Sequence, residues 1–198
     1  MAVRDGMTDL IAELRGLTDA GTAEYTVNGE AWWSDQQLQD ELDRNAVWHN
    51  DVRLTEEIDY IGNDPTYLRY KLPSQWLEGT ASGTAVWRLT NSAGSTFASS
   101  AFSINHALGE LTMAADQDGS SIYLTARSYK MYSAAASVWS RKASAYAGRF
   151  DVRTDNHDLK RSQLVNHARD MAKHYRNEAV QENLRMGGFT RMVRVDVN

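Results

Sequence analysis

Hydrophobic residues recur at helical spacing near both ends of the chain and at strand spacing in its middle. Leu10, Ile11, Leu14 and Leu17 fall at i, i+1, i+4 and i+7, with Asp9, Glu13 and Arg15 on the opposite side, which predicts a helix over residues 8–17. Gly16 weakens its last turn. Residues 18–22 read as a loop, and Tyr25-Thr26-Val27 before Asn28-Gly29 as a short strand and turn. In Ser34-Asp35-Gln36-Gln37 the serine oxygen can accept from the amide three residues on while the Gln37 side chain reaches back, a capping box. Asp35 sits at the positive end of the helix dipole. Leu38, Leu42 and then Val47 or Trp48 carry the apolar face of that helix over residues 34–48.

From Asp51 the period becomes two. Val52, Leu54, Ile58 and Tyr60 alternate with Arg53, Thr55, Glu57 and Asp59, and Tyr67 to Leu72 repeats the pattern after Asn63-Asp64-Pro65; both read as half-buried strands. Further strands are predicted over 85–89, 97–104, 109–113 and 121–127, between clusters of Gly, Ser, Asn and Asp. Helix returns over 127–148, with Met131, Ala134, Ala135, Val138, Trp139 and Ala145 on one side. Residues 150–155 read as an extended link. A last helix over 158–186 carries Leu164, Val165, Ala168, Met171, Ala172, Tyr175, Val180 and Leu184 in a stripe that Gly187-Gly188 ends. The prediction is an α+β fold: N-terminal helices in residues 1–50, an inserted small antiparallel β region in 51–127, C-terminal helices in 128–186 and an extended C-terminal tail in 187–198.

The 198 residues include no cysteine, which excludes disulfides, thiolate zinc sites, iron–sulfur clusters and cysteine nucleophiles together. No apolar run approaches the roughly 18 residues of a membrane span, and the first residues lack the basic-then-apolar order of a secretory leader, so a soluble protein made in the cytoplasm is expected. The net charge of −5 conceals an uneven distribution. Residues 1–64 carry 4 basic and 15 acidic side chains, whereas residues 127–198 carry 14 and 7. Either the acidic front packs beside the basic back within one molecule, or complementary ends of separate copies meet. Asp40, Glu41 and Asp43 on the acidic side, and Arg141, Lys142, Arg169 and Lys173 on the basic side, are the candidates for subunit contacts.

The chain has no G-x-x-x-x-G-K-[ST] phosphate loop, no G-x-G-x-x-G, no H-E-x-x-H and no G-x-S-x-G. Of its five histidines only His167 and His174 share a predicted helix, and two turns separate them by about 10.5 Å, too far to bind one metal ion. Asp40, Glu41 and Asp43 point in different directions around their helix, as on a solvated face rather than a divalent-ion site. No metal, cofactor or catalytic residue is assigned. Trp33 stands where a hydrophobic staple packs onto the first turns of the following helix, an ordinary core position. Arg127, Tyr129, Lys130, Tyr132, Trp139, Arg141 and Lys142 interleave aromatics with cations. That arrangement suits a core-facing helix with solvated cations, or a surface that stacks single-stranded nucleic acid. The second option defines an alternative function, a nucleic-acid-binding module using the basic C-terminal third.

The last residues alternate in the manner of a strand, after a helix stop and with no later element to cover them. Phe189, Met192, Val193, Val195 and Val197 supply apolar surface, Arg191 and Arg194 supply cations, and Gly187-Gly188 supply a hinge. Such a segment either completes the protein's own sheet or attaches to a partner.

Trp33-Ser34-Asp35 followed by Leu38, Leu42 and Asp43, a strand-rich middle, Tyr129 and Tyr132 ahead of Ala134-Ala135-Ala136, and Lys160-Arg161-Ser162-Gln163 opening the last helix occur in an order that resembles the head-to-tail adaptor (connector) proteins of long-tailed bacteriophages. The likeness runs over most of the chain and lies in order and spacing. It implies a structural protein of the virion, made in the host cytoplasm, whose helices form the wall of a ring, usually of twelve subunits. The ring sits beneath the portal and joins it to the stopper or tail-terminator protein. DNA passes along its axis without sequence recognition, and no membrane, cofactor or catalysis is involved. The resemblance also implies that the C-terminal tail docks on the portal, through Phe189, Arg191, Met192, Val193, Arg194, Val195 and Val197. Many such adaptors are nearly all helical, and the strand region of about residues 52–127 departs from that plan.

Overall fold

The computed structural model describes residues 3–22, 24–27, 29–61, 63–79, 87–147, 152–154, 157–159 and 161–187. In chain order its elements are α1 (Thr8–Thr18), β1 (Tyr25–Val27), β2 (Glu30–Trp32), α2 (Asp35–Arg44), β3 (Ala46–Arg53), β4 (Thr55–Ile61), β5 (Asp64–Lys71), β6 (Arg88–Asn91), β7 (Phe102–Asn105), β8 (Glu110–Met113), β9 (Ile122–Tyr129), α3 (Met131–Ala147), β10 (Val152–Thr154), β11 (His157–Leu159) and α4 (Arg161–Gly187). The class is α+β, with every strand pair among the described residues antiparallel. The chain divides into two compact units. One takes the residues up to Leu10 and Ala46–Tyr129; the other takes Ile11–Asn45 and the residues from Lys130 on.

The first unit holds two sheets, ordered β3-β9-β6 and β4-β5-β8-β7. Their shared core is Leu54, Tyr70, Leu77, Leu89, Leu111, Met113, Ile122, Leu124 and Ala126. β9 shows the expected alternation, with Ile122, Leu124, Ala126 and Ser128 all inward. The single strand expected through residues 52–60 is instead two strands in different sheets, and of its apolar residues only Leu54 is buried, while Val52, Ile58 and Tyr60 are exposed. The chain leaves one sheet for the other at Leu54, and the pairing is irregular on both sides of it: β3 carries an extra residue between His49 and Val52, and opposite Glu57–Asp59 the extra residue lies in β5. The N-terminal segment is held to this unit by backbone contact. The Gly79 amide donates to Gly6 O at 3.0 Å, and Gly6 has φ +84°, so any Cβ there would be strained and would come 2.9 Å from Gly79 O.

The second unit is mainly helical. α2 starts where expected but stops at Arg44, not residue 48. Asn45 caps it, its side chain donating to Glu41 O at 2.9 Å, and Val47 and Trp48 enter β3 to pair with Ser128 and Arg127 of β9. Tertiary pairing of β-branched and aromatic residues overrides the helical pattern there. α3 likewise begins at Met131, because residues Arg127–Tyr129 belong to β9. Of the expected link over 150–155, the described part, β10, pairs antiparallel with β11, and α4 starts at Arg161 rather than 158.

α3 and α4 pack along small residues. Ala134, Ala135, Ala136, Val138 and Ala143 are buried on one helix, and Ala168, Ala172, Tyr175 and Ala179 on the other, at i, i+4, i+7 and i+11. The buried stripe of α4 is narrower than its hydrophobicity suggested, since Leu164 and Val180 face outward. Tyr132 stacks on Tyr175 with centroids 6.2 Å apart, and Trp139 meets His167 edge-on at 5.5 Å.

Candidate functional site

The helical unit carries an open groove of about 770 Å³ bordered by α2, α3 and α4. Glu41 stands in it with its side chain only 2% exposed, and one oxygen, Oε1, accepts from Arg44 Nη1 and forms an ion pair with Arg141 Nε, each at 2.6 Å. Opposite them Arg176 Nη2 donates to Ser140 Oγ at 2.8 Å. The Ser137 and Ser140 hydroxyls donate back to carbonyls four residues earlier, Ser133 O at 3.1 Å and Ala136 O at 2.7 Å. They therefore offer a ligand acceptors rather than donors. Ala136, Ala179 and Val180 add apolar lining. A smaller cavity of about 260 Å³ shares Ser140 and Arg176 and adds Arg169.

Two further charge clusters are interior. Lys142 is buried; its Nζ donates to Asp19 O at 2.9 Å, pairs with Glu24 Oε2 at 2.6 Å and lies 4.7 Å from the centre of the Trp139 ring. The Tyr146 hydroxyl donates to the other Glu24 oxygen. In the β-rich unit, Glu78 accepts from Arg127 Nε at 2.7 Å and the Tyr129 hydroxyl at 2.5 Å, with Arg4 Nε at 3.4 Å. Burial alone would raise the Glu78 pKa, but the hydrogen bonds from Arg127 and Tyr129 and the charges of Arg127 and Arg4 outweigh it and hold the carboxyl below its ordinary value. The Tyr129 hydroxyl is pushed up by burial and by the same carboxylate.

These placements correct part of the sequence reading. Among the subunit-contact candidates, Glu41 and Lys142 are buried and Arg141 is committed to Glu41, so the acidic front and basic back meet inside one molecule at these positions. Asp40, Arg169 and Lys173 are exposed, and Asp43 is half-buried. The aromatic residues interleaved with cations are not free for stacking: Tyr129 and Trp139 are buried and Tyr132 lies against Tyr175. Ser34 caps α2, its oxygen accepting from Gln37 N while Gln37 Oε1 accepts from Ser34 N. Gly187 is the last residue of α4; Gly188 and the attachment residues Phe189, Arg191, Met192, Val193, Arg194, Val195 and Val197 lie outside the described residues.

His49 Nε2 is 2.8 Å from Ser128 Oγ, a serine–histidine contact that sequence spacing gave no means of finding. Ser128 is buried on β9, where it pairs with Val47 on one side and bridges to Leu77 on the other. Burial lowers the His49 pKa. Among the described residues no group of three or more His, Asp or Glu side chains is placed to hold a metal ion, and no helix is long and apolar enough to cross a membrane. The Arg4–Glu78 contact was also invisible in the sequence, because 74 positions separate the partners.

Large apolar side chains are exposed on both units: Trp48, Ile58, Tyr60 and Leu108 on the first, and Leu164 and Val180 on the second. The Arg127 guanidinium lies 4.9 Å from the centre of the Trp48 ring. Comparison with known proteins finds no matching family model, no matching curated protein and no matching solved structure.

Proposed function

We propose that the chain is a head-to-tail adaptor of a long-tailed phage, a structural virion protein whose copies form a ring between the portal and the stopper or tail. The helices supply the ring wall, the two sheets an outer or tail-facing surface, and the C-terminal tail the attachment to the portal. DNA passes through the channel without sequence recognition.

The observation that supports this reading best is the exposure of large apolar side chains on both units. Ile58 and Tyr60 stand two residues apart on β4, Tyr60 being 68% exposed, and Val180 of α4 is 56% exposed beside an arginine-lined groove. Exposed apolar surface rimmed by polar residues is where proteins meet other proteins. A connector needs such surface on more than one element, because it touches its own copies and the assemblies above and below. The sequence resemblance, W-S-D cap, alanine-rich helix and long final helix in order, gives the partners their identity.

The test is to mix the purified protein with tailless capsids that carry a portal and with capsids that lack one, then sediment and image both. The adaptor reading expects co-sedimentation with the portal-bearing particles alone and a ring of added density at their vertex. Equal recovery with neither sample, together with DNA affinity that falls steeply as salt rises, would replace it with the nucleic-acid-binding reading.

A further inference from the structure

We infer that the groove bordered by Arg44, Arg141 and Arg176 docks the acidic outer face of α1 from a second copy of this chain. The inference rests on the ring reading only for the way the contact repeats.

Charge is the first argument. Glu41 is the one carboxylate among the described residues that line the groove, and Arg44 and Arg141 share a single oxygen of it. Arg176 donates to a neutral hydroxyl. Three guanidinium groups facing one buried carboxylate leave a surplus of positive charge with most of its fork donors open, a geometry that suits incoming carboxylates. The lining also decides between classes of occupant. Its floor is Ala136 and Ala179, with Val180 exposed beside them, and among the described residues no aromatic ring lines it. The rings of the adjoining cavity, Tyr25 and Trp32, stack on each other with Arg141 over Trp32, so the groove itself presents bases no ring, whereas an apolar floor inside an arginine rim is the make-up of a protein interface. A net charge of −5 further opposes approach of a polyanion.

The occupant is then a surface of small residues flanked by carboxylates, and α1 presents one. Leu10, Ile11 and Leu14 are buried on its inner side, which leaves Asp9, Ala12, Glu13 and Gly16 exposed on the outer. Asp9 and Glu13 are four residues apart, so their side chains stand about 6 Å from each other on one face. Neither has an ion-pair partner among the described residues. Ala12 and Gly16 beside them allow close approach to the groove floor. The two surfaces belong to different parts of the molecule, so the contact is heterologous and repeats head to tail, closing into a ring where the rotation permits.

The chain has no cysteine of its own, which makes the contact directly testable. Full-length protein carrying Glu13→Cys and Arg176→Cys together is oxidised mildly, both concentrated in solution and after addition to portal-bearing capsids. A ladder of disulfide-linked multimers is expected from the double variant, and no more than dimers from either single variant. In parallel, Arg176→Glu should weaken self-association at low salt by about tenfold or more, and Glu13→Arg in the same chain should restore it. Both positions are exposed, so these variants keep their fold. Absence of a ladder in both preparations, or failure of the reversed pair to restore association, overturns the contact. Oligonucleotide binding that Arg176→Glu abolishes, with no ladder, overturns it in favour of nucleic acid. A ladder from protein that never joins portal-bearing capsids upholds the contact and defeats the adaptor reading; joining without a ladder does the reverse.

Discussion

The Tyr129 hydroxyl donates to Glu78 Oε2 at 2.5 Å, and through that carboxylate the end of β9 is tied to Arg127 and to Arg4 of the N-terminal segment. Glu78 is 2% exposed, so its charge is stable there only because these donors surround it. Three stretches far apart in sequence meet on one side chain.

Replacing Glu78 with Gln leaves the two arginines facing a neutral amide and is expected to cost about 3 kcal/mol, read by chemical denaturation at neutral pH. The pH dependence has a definite sign. The folded-state pKa of Glu78 is depressed below 4.5, so an unfolded chain takes up the proton first as pH falls, and the stabilisation held above pH 4.5 is lost on passing through the folded value. Wild-type stability should therefore fall below pH 4.5 more steeply than that of Glu78→Gln. Parallel curves would mean that the carboxylate is not held as described.

Ser34→Ala removes the oxygen that accepts from Gln37 N at 3.3 Å and should cost about 1 kcal/mol. A denaturation midpoint equal to that of the wild type would show that the cap contributes nothing.

The α3–α4 seam depends on small residues. Ala168 is fully buried on α4, away from both cavities described above, so Ala168→Leu inserts volume with nowhere to go and should destabilise by about 1–3 kcal/mol. Lys173 on the same helix is exposed, and Lys173→Leu should change stability by no more than about 0.5 kcal/mol. Comparing the two midpoints separates packing from helix propensity.

Deleting residues 187–198 tests the proposed attachment. The melting temperature should stay nearly unchanged while incorporation into portal-bearing capsids is lost. A truncated chain that melts many degrees lower and still joins capsids would return the tail to the protein's own core.

The chain by itself determined what local physics controls. Leu10, Ile11 and Leu14 repeat at helical spacing and are buried on α1; Ser34 and Gln37 carry within four residues everything needed to start α2; the alternation through Ile122, Leu124 and Ala126 suffices to make β9 a strand with one face inward. Tertiary structure alone decided where local signals compete. Val47 and Trp48 fit the helical pattern of α2, but pairing with β9 offered them a sheet and drew them into β3. The passage from one sheet to the other at Leu54, which no alternation reveals in advance, separated buried Leu54 from exposed Ile58 and Tyr60. The fate of charge was likewise non-local. Front acids and back bases were countable from the sequence, but only the fold placed Glu41 against Arg141 and Glu24 against Lys142, and so left Arg176 facing open groove. Ion pairs form between whichever side chains packing brings within about 4 Å, and sequence separation carries almost no information about that distance.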